Sequence, residues 1–417
     1  MPRKTLPLSD ICSRITSGGT PSRSHPEYYS SGADGHVWIK SKELLDCSLA
    51  GSEERISDLG LQKSSAKYVE VGSVLVGMYG ANVGQLGWLK SPATVNQAVC
   101  SLTPNPQVAN HRWLFYALLK GREELVSLAH GAAQQNISQE IIKKFEIEVP
   151  DLQEQQKVVV ILSAYDDLIE NNTRRIEILE EMARRLYEEW FVQFRFPGHE
   201  GVEFKESELG LIPKSWSVVK LEEICDLITD GAHKSPPTAE TGMPMASVKD
   251  MHDWGVDVSK CRKISRSDYD ELVRSNCKPM IGDVLVAKDG SYLKHIFSVE
   301  KDQDLVLLSS IAILRPINKS VSDLLVCLLR HPETIARMKG CVSGVAIPRI
   351  ILKDFRKFQI VFPSQDLQEA WLATASPLMR LCRKLVDKNA NLRAQRDLLL
   401  PKLISGEIDV SDIPMPT

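Results

Sequence analysis

The sequence predicts an α+β protein: two similar mixed α/β domains separated by two long antiparallel coiled-coil-like helices, related as a pseudo-two-fold internal repeat. Three observations predict it. The chain repeats itself at a period of roughly 210–217 residues. Each repeat begins with short apolar runs set between Gly-, Ser-, Pro- and Asn-rich loops, and each ends in a long stretch of heptad-like apolar spacing.

The duplication keeps its order while its offset drifts by only a few residues. Leu8-x-x-Ile11-Cys12-x-x-Ile15-Thr16-x-Gly18 returns as Leu221-x-x-Ile224-Cys225-x-x-Ile228-Thr229-x-Gly231. Gly72-Ser73-Val74-Leu75-Val76, ending in Gly80, returns as Gly282-Asp283-Val284-Leu285-Val286, ending in Gly290. Gly131-Ala132-Ala133, then Lys144-Phe145-Glu146-Ile147 and Pro150, return as Gly344-Val345-Ala346, then Lys357-Phe358-Gln359-Ile360 and Pro363. Residues 1–150 are the first mixed domain, and 197–363 are a linker with the second. Segments 151–196 and 364–410 are the central and C-terminal helices, and 411–417 is a tail. Strand-like runs at 72–76, 147–149, 282–286 and 359–362 supply the sheets, and helical patterns at 113–128 and 321–338 supply the α component.

After each closing proline the apolar positions alternate by three and four. The first series runs 161, 165, 168, 172, 176, 179, 183, 186, 190; the second runs 367, 371, 374, 378, 382, 385, 389, 392, 396, 399, 403. Asn172 and Asn389 fall on the two seams at equivalent places. A seam Asn either pairs across the helices and fixes their register or faces solvent at an irregularity. Antiparallel pairing puts the domains at opposite ends of a rod. A helix from 152 to about 191 is roughly 60 Å long, a length of one to two turns of duplex at roughly 3.4 Å per base pair.

Composition bounds the partners and excludes several chemistries. Net charge is −3, divided as +1 over 1–150, −4 over 151–196 and zero over both 197–363 and 364–417, so any nucleic-acid surface is a local patch or shares its affinity with partner subunits. The nine cysteines are scattered singly, with no C-x-x-C pair or zinc spacing, and read as buried thiols of a reducing compartment. No apolar leader follows Met1 and no run approaches a membrane span, so a cytoplasmic location is expected. There is no Asn/Asp-Pro-Pro-aromatic motif (Asn105-Pro106-Gln107 is the nearest string), no P-loop and no nuclease pattern. No catalytic residue, bound metal or cofactor is expected in this chain.

Phe196-Pro197-Gly198-His199-Glu200-Gly201, then Ser207-Glu208-Leu209-Gly210 and Ile212-Pro213-x-x-Trp216, resembles the junction before the second recognition domain in type I restriction–modification specificity subunits (the HsdS family). The run Arg396-Asp397-Leu398-Leu399-Leu400-Pro401-Lys402-Leu403-Ile404-Ser405-Gly406-Glu407-Ile408 is similar to that family's second spacer helix. With the duplication, the resemblance covers essentially the whole chain. It implies two target-recognition domains, each reading half of a bipartite duplex DNA target. It also implies helices that set the spacer and dock two methyltransferase subunits, with restriction/translocase subunits in the larger complex. S-adenosylmethionine, ATP and Mg are then expected on those partners. An interaction scaffold with plain coiled-coil helices is the reading from another class.

The candidate DNA contacts lie in glycine-punctuated loops. In the first domain they are Thr16, Ser17, Gly18, Gly19 and Thr20; Tyr79, Gly80 and Asn82; and Gln134, Gln135 and Asn136. In the second they are Thr229, Asp230, His233 and Lys234; Lys288, Asp289, Ser291 and Tyr292; and Arg349. Glycine permits close approach to phosphate, Asn and Gln match an adenine edge, and Arg and Lys match guanine or phosphate. The competing reading is ordinary surface turns, in which the same residue types prevail. Lys40 and Lys249, each after a short apolar run, are paired as equivalents, either phosphate contacts or solvated lysines. Tyr79 and Tyr292 either pack on sugar or anchor their loops. Unlike loops in the two copies predict an asymmetric target.

Overall fold

A computed structural model describes residues 3–32, 34–130, 135–290, 292–343 and 349–414. The chain forms two compact units, residues 1–171 with 389–417, and residues 172–388.

In the first unit the run Val74–Gly77 is buried at every residue, as a strand covered on both faces must be. It is the middle strand of a five-stranded sheet in the order Cys12–Ser17, Val99–Pro104, Val74–Gly77, Leu86–Leu89, Cys47–Leu49. A second sheet orders Tyr29–Ser30, Arg55–Ile56, His36–Ile39, Ala93–Val95 and Tyr68–Val69. Lys4–Pro7 pairs with Glu146–Val149 and closes the domain. The helical pattern at 113–128 is two helices, His111–Lys120 and Arg122–Ser127. They part at Gly121, where a Cβ would press to 3.2 Å on the Phe145 ring.

The second unit repeats the plan. Cys225–Asp230, Ile311–Pro316, Val284–Ala287 and Ile296–Ser298 form a four-stranded sheet, and Arg262–Ile264, Met243–Ala246 and Val306–Leu307 a three-stranded one. Ser217–Lys220 pairs with Gln359–Phe362. The pattern at 321–338 is again two helices, Ser322–Arg330 and Pro332–Met338, divided where Pro332 has no N–H to donate. Both copies carry the same register shift, Pro104 facing Cys12 and Pro316 facing Cys225. Proline belongs at such a break because it has nothing to give the ladder.

The two long helices are Leu152–Tyr187, followed by a π-helical turn Glu188–Val192, and Gln365–Ser405. Their segments run antiparallel within each unit. In the first, Arg396 meets Asp166 at 2.6 Å, Asn389 Nδ2 donates to the Ile169 carbonyl at 3.3 Å, and Leu400 and Leu403 share a core with Val158 and Leu162. In the second, Cys382 and Leu385 pack on Ile176, and Trp371 lies against Tyr187 and Phe191. Asn172 and Asn389 are both buried, so neither faces solvent.

The sequence seam is corrected by one residue away from the middle. Asn172, Ile176 and Ala183 are buried as expected, but so are Leu162, Ile169, Tyr187 and Phe191 in place of 161, 168, 186 and 190. Ala375 and Met379 likewise replace 374 and 378. Within each unit both helix segments pack on the domain core as well as on each other, so the buried face follows the 3.6-residue period of the helix rather than a narrow 3.5-residue seam. Each helix is also joined to its domain by a buried glutamine. Gln155 accepts from the Asn110 amide at 2.8 Å and donates to Val108 and Pro150 carbonyls at 2.9 and 3.0 Å; Gln368 donates to Pro363 at 2.7 Å. Among the described residues no helix is long and apolar enough to cross a membrane.

Candidate nucleic-acid interface

Antiparallel pairing brings three loops to one end of the first sheet. Ser17 lies beside Cys100, and Val99 beside Gly77, so the segments after Ser17, after Gly77 and before Val99 emerge together. A fourth joins them: Tyr79 and Asn136 form an antiparallel bridge, Ile137 N donates to Met78 O at 2.9 Å, and Gly80 N to Gln135 O at 3.1 Å. Thr16, Ser17, Thr20, Tyr79, Asn82, Gln135 and Asn136 are thus gathered at one sheet end, with Tyr79 43% exposed. Gln134 lies outside the described residues.

The second unit builds the same end from equivalent backbone. Gly231 N donates to Ile311 O as Gly18 N does to Val99 O, at 3.1 and 3.3 Å, and Lys288 N to Ser310 O as Met78 N does to Ala98 O, at 2.8 Å in both. Asp289 bridges Arg349, and Ile350 N donates to Lys288 O at 3.1 Å. Thr229, Asp230, His233, Lys234, Lys288, Asp289, Tyr292 and Arg349 therefore gather here; Ser291 lies outside the described residues.

The sheet ends correct several details. Lys288 is a buried cation, with Nζ 2.7 Å from Asp230 Oδ2, and neither group is solvent-facing. The glycine requirement at 18 and 231 is set by the protein's own chain: a Cβ would fall 1.8 Å from the Val95 carbonyl oxygen or 2.1 Å from that of Leu307. Gly80 and Gly290 differ, with φ of +66° and +67° and open space where a Cβ would point. They keep Tyr79 as the counterpart of Asp289, as the repeat aligns them, and Tyr292 is half-buried against the core. Lys40 and Lys249 are also not equivalent. Lys40 N is capped by Glu43 at 3.0 Å and Ser247 N by Asp250 at 2.8 Å, so Lys40 matches Ser247, and Lys42 matches Lys249. Lys40 Nζ bonds Glu54 and, with Arg23, holds that carboxyl below the usual carboxylate range against the opposing effect of burial.

Sequence reasoning missed three groups. Gln97 bonds Thr20 at the first sheet end. Lys63 and Lys67, both exposed, flank Ser65 and Ala66, which pack on Gly19. Lys294, exposed, follows the Gly290 turn. No pattern in the chain separates such lysines from solvated ones. No group of three or more His, Cys, Asp or Glu among the described residues is placed to hold a metal ion.

Residues 3–181 and 213–390 each match the family described as type I restriction modification DNA specificity domain. The chain is 27% identical to the type I restriction enzyme MjaIX specificity subunit of Methanocaldococcus jannaschii, over 97% of this chain and 93% of that protein. It is 22% identical to the HindI specificity subunit of Haemophilus influenzae, over 74% and 79% of the two chains. The crystal structure of the type I restriction–modification S subunit from M. genitalium matches with a TM-score of 0.58 at 16% identity, covering 96% of each chain, a likeness of fold.

Proposed function

We propose a division of labour from one premise: the chain belongs to the type I restriction–modification DNA-specificity family, whose domain it carries twice. Each unit reads one half of an asymmetric bipartite duplex target. The long helices set the spacer and dock two methyltransferase subunits, and restriction/translocase subunits complete the complex. The chain supplies recognition and leaves the chemistry to its partners. S-adenosylmethionine, ATP and Mg belong to them, as does extrusion of the target base, which cannot be reached inside the stack.

One observation carries this reading. The same sheet end occurs twice with the same main-chain bonds, filled by Ser17, Met78, Tyr79 and Asn136 in one unit and by Asp230, Lys288, Asp289 and Arg349 in the other. Repeated backbone gives two readers of similar geometry, and unlike side chains give them unlike half-sites. The test is base-methylation mapping of a host lacking the gene, with and without the gene restored beside its methyltransferase. A new motif of two different specified halves around a fixed unread gap is expected. Co-purification with the methyltransferase without any new motif would favour a scaffold or a silent cassette.

A further inference from the structure

The two equivalent bridges present different chemistry, and the second has an unusual charge arrangement. Arg349 is exposed and stands opposite Asp289, yet it forms no ion pair among the described residues. Asp289 Oδ1 has Lys288 Nζ 3.7 Å away and accepts no hydrogen bond among those residues. Lys288 is itself committed to Asp230, whose other oxygen lies 3.1 Å from His233 Nε2. Two carboxylates and one ammonium thus adjoin the Arg349 bridge, so that with the guanidinium counted the bridge carries no net charge. The counterparts Ser17, Met78, Tyr79 and Asn136 carry no charge.

We infer that Arg349 reads a guanine in the half-site of the second unit, with Asp289 as its positioning residue; this rests on the half-site reading above. A phosphate would find no net positive charge at the bridge, where Asp230 and Asp289 offset Lys288 and Arg349, whereas a base edge carries no net charge and needs none. Guanine offers O6 and N7 as paired acceptors that match the guanidinium fork. Asp289, across the bridge, supplies an acceptor for one side of that fork and leaves the other for the base. Lys234 and Lys249, exposed and without ion pairs among the described residues, remain for neighbouring phosphates.

The experiment uses the full chain assembled with its methyltransferase subunits. Binding sites are selected from a randomised duplex library, and affinities are measured across salt concentrations, for wild type, R349A, R349K and D289N. Wild type yielding no two-part motif strikes the half-site reading itself. Given that motif, R349A should relax one guanine of one half, lowering discrimination there roughly 5- to 150-fold. The other half and the salt slope should be unchanged. R349K, which keeps charge without the fork, should relax the same position and keeps the test decisive should R349A fail to assemble. D289N should relax it less. Uniform weakening across all sequences, with a salt slope lower by about 1, would identify a phosphate contact and overturn the assignment. An unchanged motif at unchanged affinity, or relaxation of both halves alike, would overturn it too.

Discussion

The two sheet ends share a backbone and differ in what lies beneath their loops. In the first unit Met78 is buried and apolar and Ser17 is half-buried; in the second the same places hold Lys288 and Asp230, joined at 2.7 Å and both buried. Either solution suits the same main chain because each leaves no buried charge unpaired. Desolvation of the two ions offsets much of their attraction, so the ionic version adds little net stability. It adds mutual dependence: losing either ion costs the other its nearest buried partner, whereas Ser17 and Met78 are independent.

Breaking one member of that pair gives the largest expected effect. K288M should destabilise the protein by about 3–5 kcal/mol in urea unfolding, because Asp230 stays buried with only the exposed His233 ring beside it. D230S/K288M, which transplants the first unit's pair, should recover to within about 1 kcal/mol of wild type; if it stays as unstable as K288M, the two ends are not interchangeable. Next come the glycines. G231A should cost about 3 kcal/mol because its Cβ meets the Leu307 carbonyl. G290A, strained only by its positive φ, should cost about 1 kcal/mol, and equal losses would contradict the packing argument. The helix joints sharpen the comparison further. Q155L strands three polar main-chain groups and should lose about 2 kcal/mol, against about 1 kcal/mol for Q368L, which strands one.

The smallest effect is a pH dependence confined to the second unit. Burial raises the Glu180 carboxyl above its ordinary value, with Arg330 opposing. The unfolded chain therefore ionises at lower pH than the folded one. Stability from this group is fully present below the ordinary glutamate range and is lost as pH rises through it to the raised folded value. E180Q should be more stable than wild type at pH 8 and no more stable at pH 4. A difference of the same size at both pH values would remove the assignment.

Much of this was legible in the chain. The repeat, the buried strands and the two closing helices show because apolar runs bounded by Gly and Pro follow from covalent geometry and burial alone. The finer register did not show. Leu162 is buried because the helix also meets the core of the first domain, a neighbour that spacing cannot reveal. Lys288 looked like a surface cation because its partner Asp230 stands 58 residues away. Lys40 and Lys249 were matched across copies whose offset drifts, and only the capping contacts of Glu43 and Asp250 restore the alignment.

The bridges at Tyr79–Asn136 and Asp289–Arg349 are held by peptide groups, so the pairing itself does not depend on which side chains stand at these four positions. A single codon change at 136 or 349 alters what the sheet end displays and passes through a folded intermediate. A change at 288 passes through a much less stable intermediate unless position 230 changes with it. Heritable drift in preference should therefore run along the bridge positions first and reach the buried pair last, a bias in evolutionary route written into which atoms make the bonds.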